Sequence, residues 1–479
     1  MRRAVCDGAA RRAGAWIAAC LGLVCASAQA ASSYRYEVKV DPSLERMAVH
    51  ACFDGRAPDA LIAQSDGARF YVESMRIGER VLAATGDRVV LDTADENICV
   101  DYLVKLQPAR TGAQSGGPET RRVERNMLTA IGDWLWRPQA PGPDIELTFQ
   151  LPPGVEVSTP WQRLPASAGQ AVFSVDAATS GWAGVVAFGA FVERHIVVPG
   201  AVLHVVMLDA SPSLQVQLAS WIENAARGVA SLYGRFPVAS LQMVVAPTPR
   251  GRGPVPWAYV SRGGGAAVHL FINQARAAAE FERDWTLTHE MSHLFLPYVA
   301  ARDAWLFEGL PTYLQNVLMV RGGAISAREG WRRMQAGFQR GARTAPELTF
   351  SRANERIGYN GIYLRVYWAG AALMLAADLQ LRHQTGSRQS LATALERLSA
   401  CCVTEPRRWS AQEIIARLDE VAGTTVFGDL VRGQFEVDGY PDYEAVLTRA
   451  GVKFANAGVE FDDTAPWAAE RDALMQAGP

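Results

Sequence analysis

Two histidines and a glutamate lie within five residues of one another, at His289, Glu290 and His293 in the stretch WTLTHEMSHLFLP. Residues four apart share one face of an α-helix, so the two imidazoles can point at one metal ion. The carboxylate of Glu290 would project beside that ion, where it can take a proton from an activated water molecule. The alternative is a partly buried helix face whose histidines are simply hydrogen-bonded.

A catalytic zinc ion needs a third protein ligand and an open position for water. Glu308, in DAWLFEGLPTYLQ, is a candidate; we expect it to follow a helix break made by Pro297 and to precede a new helix around Pro311. A second helix packed antiparallel to the first would carry Glu308 back towards the two histidines. Its apolar neighbours predict burial, where an unpaired carboxylate would be costly. An ordinary solvated glutamate at a helix start is the alternative.

The hydrophobic pattern predicts the elements that must position these residues. From about residue 32 to 206, segments such as YRYEVKV, ICVDYLVKL and VVAFGAFVERHIVV predict successive strands. LQVQLASWIENAARGVASLYGRF then repeats apolar residues as an amphipathic helix does. SLQMVVAP and AAVHLFIN predict strands on either side of the loop TPRGRGPVPWAYVSRGGG. Almost everything after Gln274 predicts helix, with a break around residues 344–362.

The first thirty residues resemble a secretory signal peptide. Arginines precede the apolar run AGAWIAACLGLVCASA, and Ala28 to Ala30 offer small residues for a signal peptidase. We therefore expect a chain that begins near Ala31 and is periplasmic or secreted, with lipid anchoring at Cys20 as the alternative. No segment of that mature chain reaches the roughly 18 consecutive apolar residues that a transmembrane helix needs.

Charge and cysteine content narrow the class of protein further. The 479 residues carry 47 basic and 49 acidic side chains, a formal net charge of -2, which gives no electrostatic reason to expect a nucleic-acid partner. Cys52 and Cys99 lie in strand-like segments and could pair in an exported protein. For the adjacent Cys401 and Cys402, a vicinal bridge, pairing elsewhere and buried thiols all remain open.

Three blocks of sequence, in this order, resemble the gluzincin metallopeptidases, the group that contains thermolysin and aminopeptidase N. The blocks are HExxH followed by WLFEG, then YLRVYWAGAALMLAADLQLRHQTGSRQSLATALERL, then FGDLVRGQFEVDGYPDYEAVLTRAGV. The second and third resemble segments of the glycyl aminopeptidase family in particular. The resemblance covers about residues 200–452 and is looser over the N-terminal strands.

Carried over residue by residue, the resemblance implies one zinc ion per chain on His289, His293 and Glu308, with Glu290 as general base. It also implies that Tyr367, in a Tyr-x-x-Gly sequence, donates a hydrogen bond to the oxyanion. Tyr363, one helical turn earlier, is the alternative donor. Core packing is the other role open to either tyrosine.

The chain also departs from the family pattern. Fourteen residues separate His293 from Glu308, fewer than we expect in these relatives, and Ala369 stands where Tyr-x-Lys-Gly has its lysine. We also expect no PDZ-like segment after residue 452. The zinc ligands and the general base are still present. The short interval between His293 and Glu308, however, shortens the loop that must position the third ligand.

The largest departure concerns substrate binding. Aminopeptidases of this group pair the substrate's amino group with a glutamate on a Gly-rich edge strand, whereas residues 248–279 contain no Asp or Glu. This stretch has Arg250, Arg252 and Arg262 instead, and a solvated loop is their simplest interpretation. Glu280 or Asp303 could replace the missing carboxylate.

Together these observations predict a multidomain α+β protein. We assign residues 1–30 to the signal peptide, 31–198 to an N-terminal β-sandwich-like domain, 199–345 to a thermolysin-like zinc domain and 346–479 to a C-terminal α-helical domain. The predicted function is zinc-dependent hydrolysis of peptide or protein substrates, with an extended peptide lying along the strand near AAVHLFIN. The sequence leaves exo- or endopeptidase mode and oligomeric state open.

Two other functions fit the same sequence. One is a non-catalytic peptide-binding or envelope-associated module on the same fold, favoured by Ala369 and the missing acidic anchor. The other is a zinc hydrolase of a different amide or an ester. The intact set of zinc ligands and base argues against the first of these.

Overall fold

The computed structural model describes residues 34–476 apart from 66, 107–119, 141, 168–169, 177–183, 250, 263, 360, 406, 436–438 and 456–457. The predicted signal peptide, Cys20 and Arg250 lie outside the described residues. The described residues belong to one compact unit, Ser33–Pro479. Within them, no helix combines the length and the apolar content that crossing a membrane requires.

The N-terminal region consists of β-sheets, as predicted. Its strands alternate buried and exposed positions; in the first, Tyr36 and Val38 are buried while Glu37 and Lys39 face water. The elements are β1 (Tyr34–Val40), β2 (Arg46–Arg56), β3 (Ala60–Ile62), β4 (Val72–Ile77), β5 (Arg80–Val81), β6 (Arg88–Val90), β7 (Glu96–Lys105), β8 (Arg121–Val123), β9 (Asn126–Ala130), α1 (Ile131–Trp134), β10 (Arg137–Pro138), β11 (Ile145–Gln150), β12 (Glu156–Ser158), β13 (Gln162–Leu164), β14 (Gln170–Val175) and β15 (Val185–Gly189).

These strands form three sheets that share one hydrophobic core. The largest has the order β13-β14-β11-β1-β2-β7-β4-β5, and the others are β12-β15-β9-β8 and β10-β3-β6. Cys52 and Cys99 face each other across β2 and β7 and form a disulfide, so the pairing that the strand pattern allowed is present. Cys401 and Cys402 form a vicinal disulfide.

A second, mixed sheet supports the candidate active site. Its elements are β16 (Arg194–Val198), β17 (Ala201–Met207), α2 (Pro212–Ala230), β18 (Ser240–Pro247), β19 (Trp257–Ser261) and β20 (Ala267–Ile272), followed by α3 (Ala278–Glu282) and α4 (Thr286–Ser292). The strand order is β16-β17-β18-β20-β19, with β17, β18 and β20 parallel and the two outer strands antiparallel. Strand β19 therefore forms an edge of this sheet.

Three expectations for this part of the chain were wrong. VVAFGAFVERHIVV, taken as one strand, is β15 and β16 in two different sheets, because the chain leaves β15 after Gly189. The loop TPRGRGPVPWAYVSRGGG contains β19, which Gly and Pro on both sides concealed. The strand AAVHLFIN cannot accept a peptide along its edge, because β20 is paired on both sides by β18 and β19.

The C-terminal region is helical, as predicted. Its elements are α5 (Ala304–Arg321), α6 (Ala327–Arg343), α7 (Phe350–Glu355), α8 (Tyr363–Thr385), α9 (Leu391–Cys401), α10 (Ala411–Ala422), α11 (Val426–Gln434), α12 (Tyr443–Arg449), β21 (Val452–Ala455), β22 (Gly458–Phe461) and α13 (Ala468–Met475). The β21–β22 hairpin and α7, which lies inside the predicted break at 344–362, were not predicted. One hydrophobic core runs from Ile196 to Met475, so the sheet, α4, α5 and α8 are packed together.

Candidate active site

Helix α4 brings His289, Glu290 and His293 into the protein interior. All residues of this helix are buried. His289 is 4% exposed, Glu290 8% and His293, at the end of the helix, 2%. The helix passes directly into a 3₁₀ turn at His293, which keeps helical backbone angles. The i, i+4 relation that the sequence predicts is therefore preserved across the helix end.

Glu308 joins the two histidines. Its Oε2 atom lies 3.2 Å from Nε2 of His289 and 3.7 Å from Nε2 of His293. The three candidate ligand atoms all lie within 4.8 Å of one another. The structure thus brings together the three residues that the sequence predicts as metal ligands.

The expected position of Glu308 before a new helix was wrong. Helix α5 begins at Ala304, so Glu308 lies in its second turn and Pro311 is inside the helix. Pro311 has no backbone N–H, and the helix loses the hydrogen bond that this group would donate to the carbonyl of Phe307. The Phe307 ring stacks on His293 with centroids 4.1 Å apart, and its backbone carbonyl faces the same imidazole.

Gln315 holds the ring of His289, a contact that the sequence analysis missed. Its Oε1 accepts a hydrogen bond from Nδ1 of His289 at 2.9 Å, which leaves Nε2 available to a metal ion. Gln315 follows Glu308 by seven residues, two helical turns, and so lies on the same face of α5. This spacing is the signal by which the residue could have been found.

The electrostatics of the cluster suit a metal site. Burial lowers the pKa of His293 to about 3, so its imidazole is neutral. Burial raises the pKa of Glu308, but the two histidines and Tyr367 outweigh it, so the pKa is lowered and the carboxylate is ionised. For His289, burial lowers the pKa, but the hydrogen bond and charge of Glu308 and the charge of Glu290 raise it overall.

These protonation states fit the zinc that the resemblance implies. A neutral imidazole and an ionised carboxylate are the forms that bind metal, and a cation would replace the proton shared between His289 and Glu308. Two imidazole nitrogens and a carboxylate oxygen form a common donor set for catalytic Zn²⁺. His289, His293 and Glu308 would hold the ion, and Glu290 lies beside them with Oε2 3.9 Å from Nε2 of His293.

Close packing of two glycines brings Tyr367 to the cluster. A Cβ atom on Gly309 of α5 would lie 2.6 Å from the Cα of Gly370 on α8, so the two helices can approach only because both positions are glycine. This crossing sets Tyr367 next to Glu308, with its phenol close to that carboxylate. Burial raises the pKa of Tyr367 above its ordinary value, which keeps the hydroxyl protonated.

Tyr363 lies one turn farther from the cluster. Its side chain is 46% exposed, and its ring meets Tyr367 edge-on with centroids 5.6 Å apart. The ring of Tyr367, by contrast, lies parallel to His289 at 6.4 Å. Of the two candidate tyrosines, the structure therefore places Tyr367 at the cluster.

The edge strand β19 and Arg262, which follows it, lie against the HEMSH sequence. The backbone N–H of Val260 lies beside the carboxylate of Glu290, and Nη2 of Arg262 donates to the backbone carbonyl of His293 at 2.7 Å. Burial lowers the pKa of Arg262 to about 10. The interpretation of Arg262 as a solvated loop residue was wrong, whereas Arg252 is exposed as expected.

A cavity of about 800 Å³ opens next to the cluster. His289, Gln315, Tyr363 and Tyr367 contribute to its lining. Four arginines also line it: Arg283, Arg332, Arg333 and Arg340. The cavity is large enough for several peptide residues and carries more basic than acidic side chains.

The acidic residues proposed to replace the missing anchor differ in position. Glu280 lines the cavity, but its carboxylate accepts from the backbone N–H of Ala277 and forms an ion pair with Arg276 at 3.0 Å. Asp303 accepts a hydrogen bond from the backbone N–H of Ala411 at the start of α10. Asp284, which also lines the cavity, has its pKa raised by burial.

Known structures share this architecture. An aminopeptidase N family protein from Idiomarina loihiensis matches with a TM-score of 0.66 and 14% identity over 88% of this chain and 78% of that one. An M1 zinc metallopeptidase from Deinococcus radiodurans matches with a TM-score of 0.52 and 14% identity over 86% of this chain and 95% of that one. Yeast LTA4 hydrolase matches with a TM-score of 0.53 and 10% identity over 86% and 68%.

These similarities define the fold. The chain has the fold of the aminopeptidase N-like M1 zinc metallopeptidases and of LTA4 hydrolase, with its β-rich N-terminal and helical C-terminal regions. At the level of sequence, no protein-family model matches the chain and no curated protein matches it. A substituted form of the Deinococcus enzyme, similar to this chain with a TM-score of 0.53, was solved with a Tyr-Ser-Ala substrate.

Proposed function

We propose that this protein is a zinc-dependent metallopeptidase with a thermolysin-like catalytic domain. The observation that carries the proposal is the convergence of His289, His293 and Glu308 with Glu290 and Tyr367 beside one cavity. The shared fold of M1 zinc metallopeptidases supports it. Digestion of a peptide library by the purified chain and by its Glu290→Gln variant tests it.

Export to the periplasm or the cell exterior is part of the same proposal. The signal-like first thirty residues support it, and so do the disulfides, because such bonds persist in oxidising compartments. The substrates would accordingly be peptides or proteins of that compartment.

Each residue of the site has its own role in the proposed reaction. When bound, Zn²⁺ supplies a Lewis acid that polarises the scissile carbonyl and makes a water molecule a better nucleophile. Glu290 accepts the proton of the attacking water and returns it to the leaving amine. Burial raises the pKa of Glu290 to about 7, which suits a group that must both take and give a proton near neutral pH. Tyr367 donates a hydrogen bond to the oxyanion that develops on the carbonyl.

The substrate would lie as an extended strand along β19. Among the described residues this strand ends the sheet, Val260 in it lies beside Glu290, and Arg262, which follows it, contacts His293. An extended peptide that pairs with such an edge aligns its backbone by hydrogen bonds while its side chains occupy neighbouring cavities. The scissile bond would then lie beside the candidate metal ligands His289, His293 and Glu308.

Tyr367→Phe should lower kcat by about 10²-fold with little change in KM. The phenol acts on charge that appears only in the transition state, so its loss should not weaken binding of the ground state. Tyr363→Phe is the matched control and should be close to wild type, because its side chain is half-exposed and one turn away. Steady-state kinetics on one peptide compare the two. A silent Tyr367→Phe with an impaired Tyr363→Phe would transfer the role to Tyr363.

Hydrolysis should depend little on a free substrate amino terminus. A charge-assisted contact with a carboxylate would position a terminal ammonium, yet residues 248–279 contain no acidic side chain and Glu280 is already paired with Arg276. The same peptide in free and N-acetylated forms should therefore give comparable kcat/KM.

A hundredfold preference for the free form, about 2.7 kcal/mol, would contradict this expectation. Glu280→Gln then identifies the anchor: the preference disappears in this variant if Glu280 binds the ammonium. Glu282→Gln, an exposed glutamate two residues further along α3, is the matched control.

A further inference from the structure

A second cluster of candidate metal ligands lies outside the candidate active site. It consists of Glu193, immediately before β16, His195 on β16 and His204 on β17. Oε1 of Glu193 lies 2.9 Å from Nε2 of His195 and 3.1 Å from Nδ1 of His204. The two imidazole rings meet edge-on with centroids 4.9 Å apart. All three candidate ligand atoms lie within 4.8 Å of one another.

The strand register places the two histidines of the cluster side by side. His195 and His204 are directly paired across the antiparallel strands β16 and β17, which places both on the same face of the sheet. Glu193 lies immediately before β16, and its carboxylate contacts both imidazoles. Arg194, between them, points to the other face, where it donates to Gln215 of α2.

The spacing of the ligand atoms fits one small cation. A tetrahedral ion with bonds of about 2.1 Å separates its ligand atoms by about 3.4 Å. The separations in this cluster, 2.9 and 3.1 Å, resemble those of the candidate active site, 3.2 and 3.7 Å. A slight expansion of the cluster would accommodate the ion.

The exposure of the cluster also suits a metal. The side chains of His195, His204 and Glu193 are 59%, 34% and 26% exposed, so an ion could enter from solvent and keep water ligands.

A third group of candidate metal ligands has similar spacing but lacks free thiolates. His50, Cys52 and Cys99 also have candidate ligand atoms within 4.8 Å of one another. Cys52 and Cys99 are bonded to each other in a disulfide, however, and cannot act as thiolate ligands. His50 is therefore a suitable control: an exposed histidine on a β-strand that lacks a ligand set.

We propose that Glu193, His195 and His204 form a second metal site, which binds a divalent transition-metal ion of the zinc class with water completing the coordination shell. Two imidazoles and one carboxylate favour such ions over the oxygen-preferring Mg²⁺ and Ca²⁺. Because the site is open to solvent, its ion exchanges more readily than one held in the buried cluster of His289, His293 and Glu308.

Zinc titration of the metal-free protein against a competing chromophoric chelator tests the proposal. The wild type should bind two Zn²⁺ ions per chain, whereas His195→Asn and His204→Asn should each bind one. His50→Asn should still bind two. Peptide hydrolysis by His204→Asn should match that of the wild type, which separates this ion from the catalytic one. Circular dichroism and thermal melting check that the variants are folded.

Combination with His293→Ala makes the test independent of the catalytic proposal. His293→Ala alone should keep the ion that depends on His204, and the double variant His293→Ala/His204→Asn should bind none. The second site is refuted if His195→Asn and His204→Asn bind as many ions as the wild type, or if the wild type binds a single ion that His293→Ala removes. Loss of zinc only in the His204 variants would instead support the second site while refuting the catalytic one.

Discussion

Glu290→Gln is expected to retain catalytic zinc and to lose peptide hydrolysis by roughly 10²–10⁴-fold. The amide has nearly the same shape as the carboxylate but cannot accept the proton of the attacking water. Glu290 is 8% exposed, so bulk water has little access to its carboxylate. The measurement is kcat on a defined peptide together with zinc content per chain.

Glu282→Gln is the matched control for this variant. Glu282 is exposed on α3, and the same chemical change there should leave both kcat and zinc content at wild-type values. Turnover by Glu290→Gln close to that of the wild type would remove Glu290 from the role of base. A parallel loss of zinc would instead assign it to metal binding.

His289→Ala and His293→Ala should each empty the catalytic metal site and abolish hydrolysis. Removal of either imidazole leaves two protein ligands, whereas catalytic zinc sites ordinarily have three. After gel filtration in metal-free buffer, the wild type should keep about one zinc ion per chain, because the buried cluster exchanges slowly, and both variants should keep much less. Atomic absorption of the eluted protein measures this.

His383→Ala provides the control for the loss of an imidazole. This histidine lies on α8, where it contacts Glu470 and belongs to none of the described metal-ligating clusters. Its removal should leave the retained zinc unchanged. Full zinc occupancy in both His289→Ala and His293→Ala would end the assignment of the catalytic site.

The parts of the site that repeat with helical spacing were predictable from sequence. His289 and His293 are four residues apart, and α4 keeps both on one face. Glu308 was identified by its apolar surroundings, and its side chain is largely but not fully enclosed, at 17% exposure. Gly309 and Gly370 both lie in the sequence blocks that resemble the gluzincins. The structure explains why these positions are glycine, because the absence of side chains lets α5 and α8 approach closely.

The residues that the sequence did not reveal act through the backbone or across distant elements. Val260 lies beside Glu290 through its backbone, which no residue type signals, and glycines and prolines on both sides of β19 conceal that strand in the sequence. Arg262 contacts the carbonyl of His293, thirty-one residues further along the chain. Only the sheet order, with β19 beside β20, brings these groups to α4.

The structure also explains how Ala369 can stand where the family pattern has a lysine. Ala369 is fully buried within α8, two residues after Tyr367. A lysine at this position would bring a long charged side chain into the core, which is costly unless it finds a partner. The alanine is thus compatible with the packing of α8 and does not disturb the position of Tyr367.

The central claim is that this cluster hydrolyses peptide bonds. The most direct measurement is mass spectrometry of a peptide library incubated with the wild type and, in parallel, with Glu290→Gln at equal zinc occupancy. We predict cleavage products with the wild type that are absent with Glu290→Gln and that disappear when a chelator removes the metal. An intact library with zinc-loaded wild type, or the same products from both proteins, would contradict the assignment of this protein as a metallopeptidase.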